Sequence, residues 1–511
     1  MYKQRDDVER LIEALTSGEK RYFSTNYKTH YSEKDLPLYL ALYELHENGK
    51  SQLPKNLEGI EGRALTSAKR RLYDNLVDSV VSLNKEHSVN NQVQYLLSAI
   101  ELLLFKGLSS QALLLWKKAY DACIRQEKFG LLLQVLDWEK RLNIVLDSPT
   151  RHSDKIKDEE DSTLEKMKQI LALERIYSHI MLLKRQYGYV KGVLKEKLEQ
   201  ETILSAEMPR EKDCLSEKAL YYFNLVHAIY YWMVKDHPKG YESSKKLIVG
   251  SGANILPSDY IYGIFQHITS SVCLGKFGDT LNGITLAEDY LRENHLDQSV
   301  AFSVQLFAYK ATYSLVVYNY MGDRRKLVSA IIETEEQLRQ FSNVLPLEYR
   351  QIVTGNLMNA YAAIGNFKKA DMLWLDLTDK QYKGFRQDVH ADLHLFRLFS
   401  LLHSKSYSLI PSAALSALRF FKKSGGDNGM WQMELSIAQY LLKERNYSDN
   451  KVLRETVHQL RYFIEVITMN YPAGFQEHYT RYLIWCDAIL NDELYHKAAK
   501  KWYHEFTFSR K

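Results

Sequence analysis

Two histidines one helical turn apart have the best spacing for metal chemistry in this sequence. His390 and His394 are separated by three residues, so in a helix they lie on one face. Imidazole nitrogens in that arrangement chelate zinc, and Asp388 and His403 are near in sequence. Position 391 is alanine, where a His-Glu-x-x-His metalloprotease carries its glutamate base. The ordinary interpretation, a polar helix edge with two unremarkable histidines, is favoured, and we predict no metal site.

Other motifs for catalysis or cofactor binding are missing from the sequence. It has no G-x-x-x-x-G-K-[ST] phosphate loop, no G-x-S-x-G nucleophile motif and no EF-hand pattern. The segment VGSGAN (249–254) has two glycines but lacks the third glycine and the preceding strand of a dinucleotide site, so it predicts a loop between helices. We therefore predict no catalytic residue, no cofactor and no enzymatic activity.

Aromatic and basic residues raise the question of nucleic-acid binding. The chain has 36 Tyr, 19 Phe and 7 Trp, and such rings can stack on bases. Segments such as LYYFNLVHAIYYWM (220–233), however, place them at the spacing of a helix core. The net charge is only +5, and the basic clusters Lys69-Arg70-Arg71, Arg324-Arg325-Lys326 and Lys500-Lys501 are short. These features favour structural aromatics and solvated helix surfaces.

The elements that carry these residues are predicted to be helices. Only 9 of 511 residues are proline, with none between Pro54 and Pro149 or between Pro257 and Pro346. Because proline breaks helix interiors, such gaps permit long helices, and good helix formers dominate them. No run of strict apolar–polar alternation is bounded by hairpin turn residues. The sequence predicts an all-α protein, at least two-thirds helical, with essentially no sheet.

The helices are predicted to fall into four stretches of chain. Residues 1–90 form a module of four helices. The first covers 6–15, the second follows an N-cap at Thr16 or Ser17, the third covers 35–48, and the fourth begins at Thr66 or Ser67. Residues 91–146 form the first helical hairpins, turning at Lys106-Gly107. Residues 147–163 have almost no apolar side chain and predict an exposed loop. Residues 164–511 form a repeat array that starts with helices at 164–184 and 189–205.

One repeat unit is clear at residues 354–380. Leu357 and Tyr361 precede the turn Gly365-Asn366-Phe367, and Ala370 and Trp374 follow it. Weaker copies align on Gly107 with Ala112 and Trp116, on Gly275, on Gly322-Asp323 and on Lys405-Ser406. The last four turns are 47, 43 and 40 residues apart, longer than the period of about 34 residues of tetratricopeptide repeats. The pattern resembles that family and implies an α-solenoid of irregular TPR-like hairpins.

The N-terminal module also resembles the start of a group of bacterial tetratricopeptide-like proteins without an assigned function. In that group a Ser-x-x-Glu-Lys-Arg-Tyr-Phe-like turn opens the second helix, which TSGEKRYF (16–23) approximates. A later helix carries a Lys-x-x-Leu-Tyr-like segment, approximated by KRRLY (69–73). The resemblance covers about ninety residues and implies no activity and no site.

These observations predict a protein-interaction scaffold or adaptor that binds an unknown peptide or protein partner on the surface of a superhelix. The alternative is a nucleic-acid-associated regulator acting through the N-terminal module, which its 14 basic and 14 acidic residues argue against. Four scattered cysteines indicate a reduced compartment. The strongest apolar run, residues 96–105, is too short to span a bilayer, so we expect a cytoplasmic protein without membrane insertion.

Overall fold

The prediction of an all-α protein is confirmed by a computed structural model of the chain. It describes residues 7–30, 38–40, 63–83, 88–250, 252, 254–378, 386–423, 431–443, 446–468 and 477–508. Helix makes up 82% of the structure, and no strand occurs in these described residues. The chain divides into two compact units, residues 1–167 with 298–300, and residues 168–297 with 301–511.

In the described part of the first unit, six complete helices precede the beginning of a seventh, besides the helical residues 38–40. They are α1 Asp7–Ala14, α2 Ser17–His30, α3 Arg63–Leu83, α4 Val89–Phe105, α5 Ser109–Arg125, α6 Phe129–Val145 and α7 Ser153–Tyr187. Val8 and Ile12 of α1 pack with Phe23, Leu72 and Leu76 in a dry cluster. This packing buries the apolar face that the sequence predicted for the first helix.

The start of α2 shows the predicted cap. The backbone nitrogen of Glu19 donates to Thr16 Oγ1 at 3.2 Å, and Thr16 N donates back to Glu19 Oε2 at 2.8 Å. Thr16 therefore closes a capping box. The predicted fourth helix begins at Arg63, three residues before Thr66. Of the helix predicted at 35–48, only residues 38–40 lie within the described residues, and they are helical.

The exposed loop predicted at 147–163 is wrong for most of its length. The connection covers residues 146–152, and α7 is helical from Ser153. Charged residues are compatible with a helix, and Ile156 and Thr163, seven residues apart, turn one narrow stripe inward with 1% and 2% exposure. The predicted helices at 164–184 and 189–205 are accordingly the end of α7 and a shorter α8, Gly192–Glu201.

The second unit consists of consecutive helices, and tight turns join five pairs of them. After α8 they are α9 Glu217–Met233, α10 His237–Leu247, α11 Pro257–Cys273, α12 Phe277–Glu293, α13 Val300–Met321, α14 Arg324–Gln340, α15 Leu347–Ala363, α16 Phe367–Leu377, α17 Gln387–His403, α18 Ile410–Lys423, α19 Gln432–Lys443, α20 Asn450–Thr468, α21 Glu477–Leu490 and α22 Tyr495–Phe508. Short 3₁₀ turns cover Glu211–Asp213 and Tyr407–Leu409.

The predicted turn residues share one backbone conformation. Gly107, Gly275, Gly322, Gly365 and Lys405 all have positive φ, between 58° and 88°. In each case the next residue donates its backbone N–H to a carbonyl five residues earlier, as Asn366 does to Tyr361 at 2.8 Å. This 6→1 bond and the left-handed residue form a Schellman motif, which ends one helix and starts the next.

The last two helices fold back onto earlier ones within the second unit. Helix α21 packs on α11 and α17, and α22 packs on α15. Tyr482 donates to Asp392 Oδ1 at 2.6 Å, and the His496 ring donates to the Ala363 carbonyl at 3.0 Å. A Cβ on Gly322 would collide with the backbone of His496 and Lys500, so this turn needs glycine for space as well as for its φ of 64°.

Helix α13 is, among the described residues, the one helix long and apolar enough to cross a membrane. The sequence analysis did not identify this helix, since it named residues 96–105 as the strongest apolar run. A core helix of a soluble protein passes the same test. Val304, Phe307 and Ala308 of α13 pack in a buried cluster with Leu345 and Val353.

Candidate functional site

A cavity of about 630 Å³ opens among the helices of the second unit. Its lining comes from α7, from the first helices of successive hairpins (α9, α11, α13 and α15), and from the residue that precedes α17. This volume lies within the range of small-molecule and side-chain binding sites. The residues that define its character are Tyr177, Met181, Lys184, Arg185, Trp232, Tyr262, Tyr309, Tyr313, Glu348, Tyr349, Ile352 and Arg386.

The walls of the cavity are aromatic and held in fixed orientations. Tyr309 stacks on Phe265 with ring centroids 3.9 Å apart, and its other neighbours include Tyr313 and Tyr349 at 6.0 and 6.2 Å. Tyr313 and Thr269 share a hydroxyl hydrogen bond of 2.6 Å. Burial raises the pKa of Tyr349 to about 12 and raises that of Tyr309 well above its ordinary value, so these phenols stay neutral. The walls can thus pack against a ring and donate hydrogen bonds.

Lys184 brings a buried amine to the cavity. Its Nζ donates to Tyr262 Oη at 2.9 Å and to Gln266 Oε1 at 3.1 Å, and lies 4.7 Å from the Trp232 ring centroid. Burial, together with the positive charge of Arg386, lowers the pKa of this amine to about 7. The pKa of Lys184 therefore lies in the physiological range, which is uncommon for lysine and typical of functional sites.

Arg386 supplies a second cation, which the protein itself neutralises. Its guanidinium donates two hydrogen bonds to Asp388, at 2.8 and 2.7 Å, and lies 3.9 Å from Glu348. Arg386 has φ 35° and ψ 78°, a strained conformation for a residue with a side chain. Gly188, with φ 69°, permits the close approach of Asp388, because a Cβ there would overlap the carboxylate. The Arg386–Asp388 pair therefore depends on two left-handed backbone conformations, at Arg386 and at Gly188.

A smaller cavity of about 150 Å³ adjoins the first and shares several lining residues with it, including Trp232, Tyr313 and Arg386. Asn359 lines it and is 5% exposed. Asn359 Nδ2 donates to the Gly355 carbonyl at 2.9 Å, whereas its Oδ1 has no hydrogen-bond partner in the structure. A buried acceptor without a partner is unfavourable, so this amide is available to a ligand donor.

The two histidines of the predicted pair have different neighbours. His390 Nε2 lies 3.0 Å from the amide nitrogen of Gln351, and the ring of His394 packs 4.9 Å from that of Phe420. Asp388 is held by Arg386, and His403 binds the Glu493 carbonyl at 2.7 Å. No group of three or more His, Cys, Asp or Glu side chains able to hold a metal occurs within the described ranges.

The other segments singled out in the sequence are a glycine-containing loop, basic clusters and an aromatic helix. VGSGAN lies between α10 and α11, as predicted, except that residues 251 and 253 fall outside the described residues. In the basic clusters, Lys69 pairs with Glu9 at 3.5 Å and Lys501 with Glu493 at 2.8 Å. Trp232, from the segment assigned to helix core, is the one residue of that segment that lines the larger cavity.

The residues of the cavity were missed by the sequence analysis. Lys184, Tyr309 and Glu348 lie on three different helices and Arg386 precedes a fourth; they are up to 202 residues apart and share no motif. The available signal was the density of tyrosine, which was read as helix packing. No family model, no curated protein and no solved structure matches this chain.

Proposed function

We propose that this chain is a TPR-like α-solenoid scaffold that binds a segment of a peptide or protein partner, without covalent chemistry. The support for repeat architecture is the series of left-handed turn residues at Lys235, Gly275, Gly322, Gly365 and Lys405. In such arrays the first helices of the hairpins line a concave surface that binds extended ligands.

The observation that carries the proposal is the aromatic cavity. Its walls come from α7 and from the first helices of four successive hairpins, and Arg386 stands before the first helix of the next. A concave, mostly apolar cavity with a few convergent polar groups suits an inserted apolar side chain. The unpartnered Oδ1 of Asn359, in the adjoining cavity, suits a backbone N–H of the same segment.

A random peptide library panned against the full chain tests this proposal. Ser178 lines the cavity but is exposed, so Ser178→Trp should obstruct the cavity without disturbing the core. Leu171→Trp is the matched control, because Leu171 is 54% exposed on the same helix and does not line the cavity. Selected peptides should bind Ser178→Trp at least about tenfold more weakly and Leu171→Trp unchanged. Equal binding to both variants would show that the cavity is not the site.

The nucleic-acid alternative predicts a different result. Binding through phosphate contacts weakens steeply as salt rises. Filter binding of duplex DNA over a salt series should therefore show no specific, salt-sensitive complex if the scaffold proposal is correct. A complex that Ser178→Trp leaves intact and that the salt series weakens steeply would favour the N-terminal module instead.

A further inference from the structure

Lys184 stands out among the charged groups that line the larger cavity. Arg386 binds Asp388 through two hydrogen bonds, and Arg185 lies 3.6 Å from Glu348. Lys184 instead donates to two neutral oxygens, of Tyr262 and Gln266. Within the part of the chain that the structure describes, it forms no ion pair with a carboxylate. Glu348 and Asp388 act on this amine only from a longer distance, so among the described residues the cavity holds one cation without a direct carboxylate partner.

The surroundings of this amine limit what can neutralise it. Its Nζ is 4.7 Å from the Trp232 centroid and 5.3 Å from that of Tyr262, so one side is covered by rings. Tyr177 lies 6.3 Å from Tyr262 by ring centroid and continues the aromatic wall. A cation in such a site is stabilised by an anion that brings its own apolar body, because the body replaces water along the walls.

We infer that the cavity binds an aromatic group that carries a single carboxylate, with the carboxylate on Lys184 Nζ and the ring among Tyr177, Tyr309 and Tyr349. This assignment rests on the proposed function and names the part of the partner that enters the cavity. A peptide supplies this group either as a C-terminal aromatic residue or as an aromatic residue beside an Asp or Glu.

The count of charges favours one negative charge over two. Arg386 is already paired with Asp388 and Arg185 with Glu348, so Lys184 is the one cation of the described cavity lining outside these two ion pairs. A phosphate or a dicarboxylate would leave a second negative charge near Glu348 without a partner, and a like charge at short range is unfavourable. A single carboxylate, in contrast, pairs with Lys184 and leaves the Arg386 pair undisturbed.

Paired probes test the charge and the ring separately on the full chain. N-acetyl-phenylalanine carries a ring and a carboxylate, N-acetyl-phenylalaninamide has the ring alone, and acetate has the charge alone. N-acetyl-Asp-Phe-amide places the carboxylate on a neighbouring side chain. Calorimetry at pH 6.5 should show binding of the first probe about tenfold tighter than the amide, and weaker binding of acetate. The Asp-Phe probe distinguishes the two peptide sources.

Variants at position 184 provide the decisive comparison. Lys184→Met keeps the length of the side chain and should remove the preference for acid over amide, whereas Lys184→Arg should retain part of it. Equal binding of acid and amide to the unsubstituted chain would overturn the inference, as would a preference that survives in Lys184→Met. Absence of binding by all probes up to about 10 mM also overturns it. The library selection with Ser178→Trp decides the proposed function independently of these outcomes.

Discussion

Each unit of the chain holds a cation beside aromatic rings, but the two cations have opposite electrostatic surroundings. In the first unit, Arg151 donates to the fully buried Glu139 and to Glu159, and its guanidinium lies 5.3 Å from the Tyr120 ring. Tyr120 donates to Glu159 at 2.7 Å, and Thr150 donates to Glu139 at 2.7 Å. In the second unit, Lys184 forms no ion pair with a carboxylate among the described residues, and it faces a cavity.

The difference separates a structural cluster from a binding site. The carboxylates raise the pKa of Arg151, so this cation is fixed, and it joins α6 to the start of α7. Burial lowers the pKa of Lys184 instead, because it outweighs the attraction of the more distant Glu348 and Asp388. A buried charge that destabilises the folded state and faces a cavity is suited to binding a ligand. A charge that is neutralised by its neighbours is suited to stabilising the fold.

The largest effect is expected when Arg151 is replaced by alanine. Glu139 is 0% exposed and would lose the cation that neutralises it. Removing one partner of a buried ion pair costs about 3–5 kcal/mol, and urea unfolding followed by circular dichroism measures this loss. Arg141→Ala is the control, because its pair with Asp137 is about half exposed and contributes about 0–1 kcal/mol. Similar losses in both variants would contradict a structural role for the Arg151 cluster.

The turns extend the comparison between the two units. Gly107 in the first unit and Gly322 in the second have φ of 72° and 64°, so alanine strains both. Nothing would touch a Cβ at Gly107, whereas at Gly322 it would meet the backbone of α22. We expect Gly107→Ala to cost about 1–2 kcal/mol and Gly322→Ala about 2–4 kcal/mol in unfolding free energy. Equal costs would mean that α22 does not press on this turn.

The small residue that follows the turn should behave alike in both units. Ala112 and Ala370 each come five residues after a turn glycine and are 0% and 1% exposed. Leucine at either position would overpack the helix contact and lower the unfolding free energy by about 1–3 kcal/mol. Lys368→Ala is the neutral control, since Lys368 is exposed. Tolerance of leucine at Ala370 would show that the repeat register is wrong.

The neighbouring Lys369 is also exposed, but its side chain contacts two other helices. Lys369 Nζ donates to Tyr361 at 2.8 Å and to Glu335 at 3.0 Å, linking α14, α15 and α16. Since half of this side chain is exposed, Lys369→Ala should lower the unfolding free energy by about 0.5–1 kcal/mol.

The helical fold could be predicted from local sequence patterns, and the predictions that failed did so for local reasons. Missing prolines, the apolar period and the glycine turns located the helices and five of the tight turns. The turns at Glu127 and Lys235 were missed, because a residue with a side chain adopts positive φ there and, unlike the turn at Lys405, they were not aligned with the repeat. Residues 153–163 were taken for a loop because a helix with one narrow buried stripe, here Ile156 and Thr163, has almost no apolar signal.

The candidate site was not predictable in the same way. Its residues are brought together by contacts between helices, and the local patterns in a single sequence do not show which helices contact each other. The environment of Lys184 depends on Trp232, Tyr262 and Gln266, which are 48, 78 and 82 residues away in sequence. The metal hypothesis for His390 and His394 had the opposite weakness, since good spacing on one helix says nothing about ligands from other helices.

The smallest effect on stability, and the sharpest test of the comparison, is expected for Lys184→Met. At neutral pH the variant removes a poorly compensated buried charge but also two hydrogen bonds, so the unfolding free energy should change by less than about 1 kcal/mol.

The pH dependence of stability distinguishes the variant from the unsubstituted chain. The pKa of Lys184 is about 7 in the folded chain and about 10.5 when unfolded, so the unfolded state binds the extra proton between these values. The folded state of the unsubstituted chain should therefore gain stability relative to Lys184→Met as pH rises from 7 to 10.5, and lose it as pH falls back through 7. The charged and titratable groups that face Lys184, and that both proteins share, are Arg386, Glu348, Asp388 and Cys273. Because they are shared, the difference between the melting temperatures of the two proteins over this pH range isolates Lys184. A flat difference would show that Lys184 keeps its proton at ordinary lysine pKa, and that the two cation clusters are alike after all.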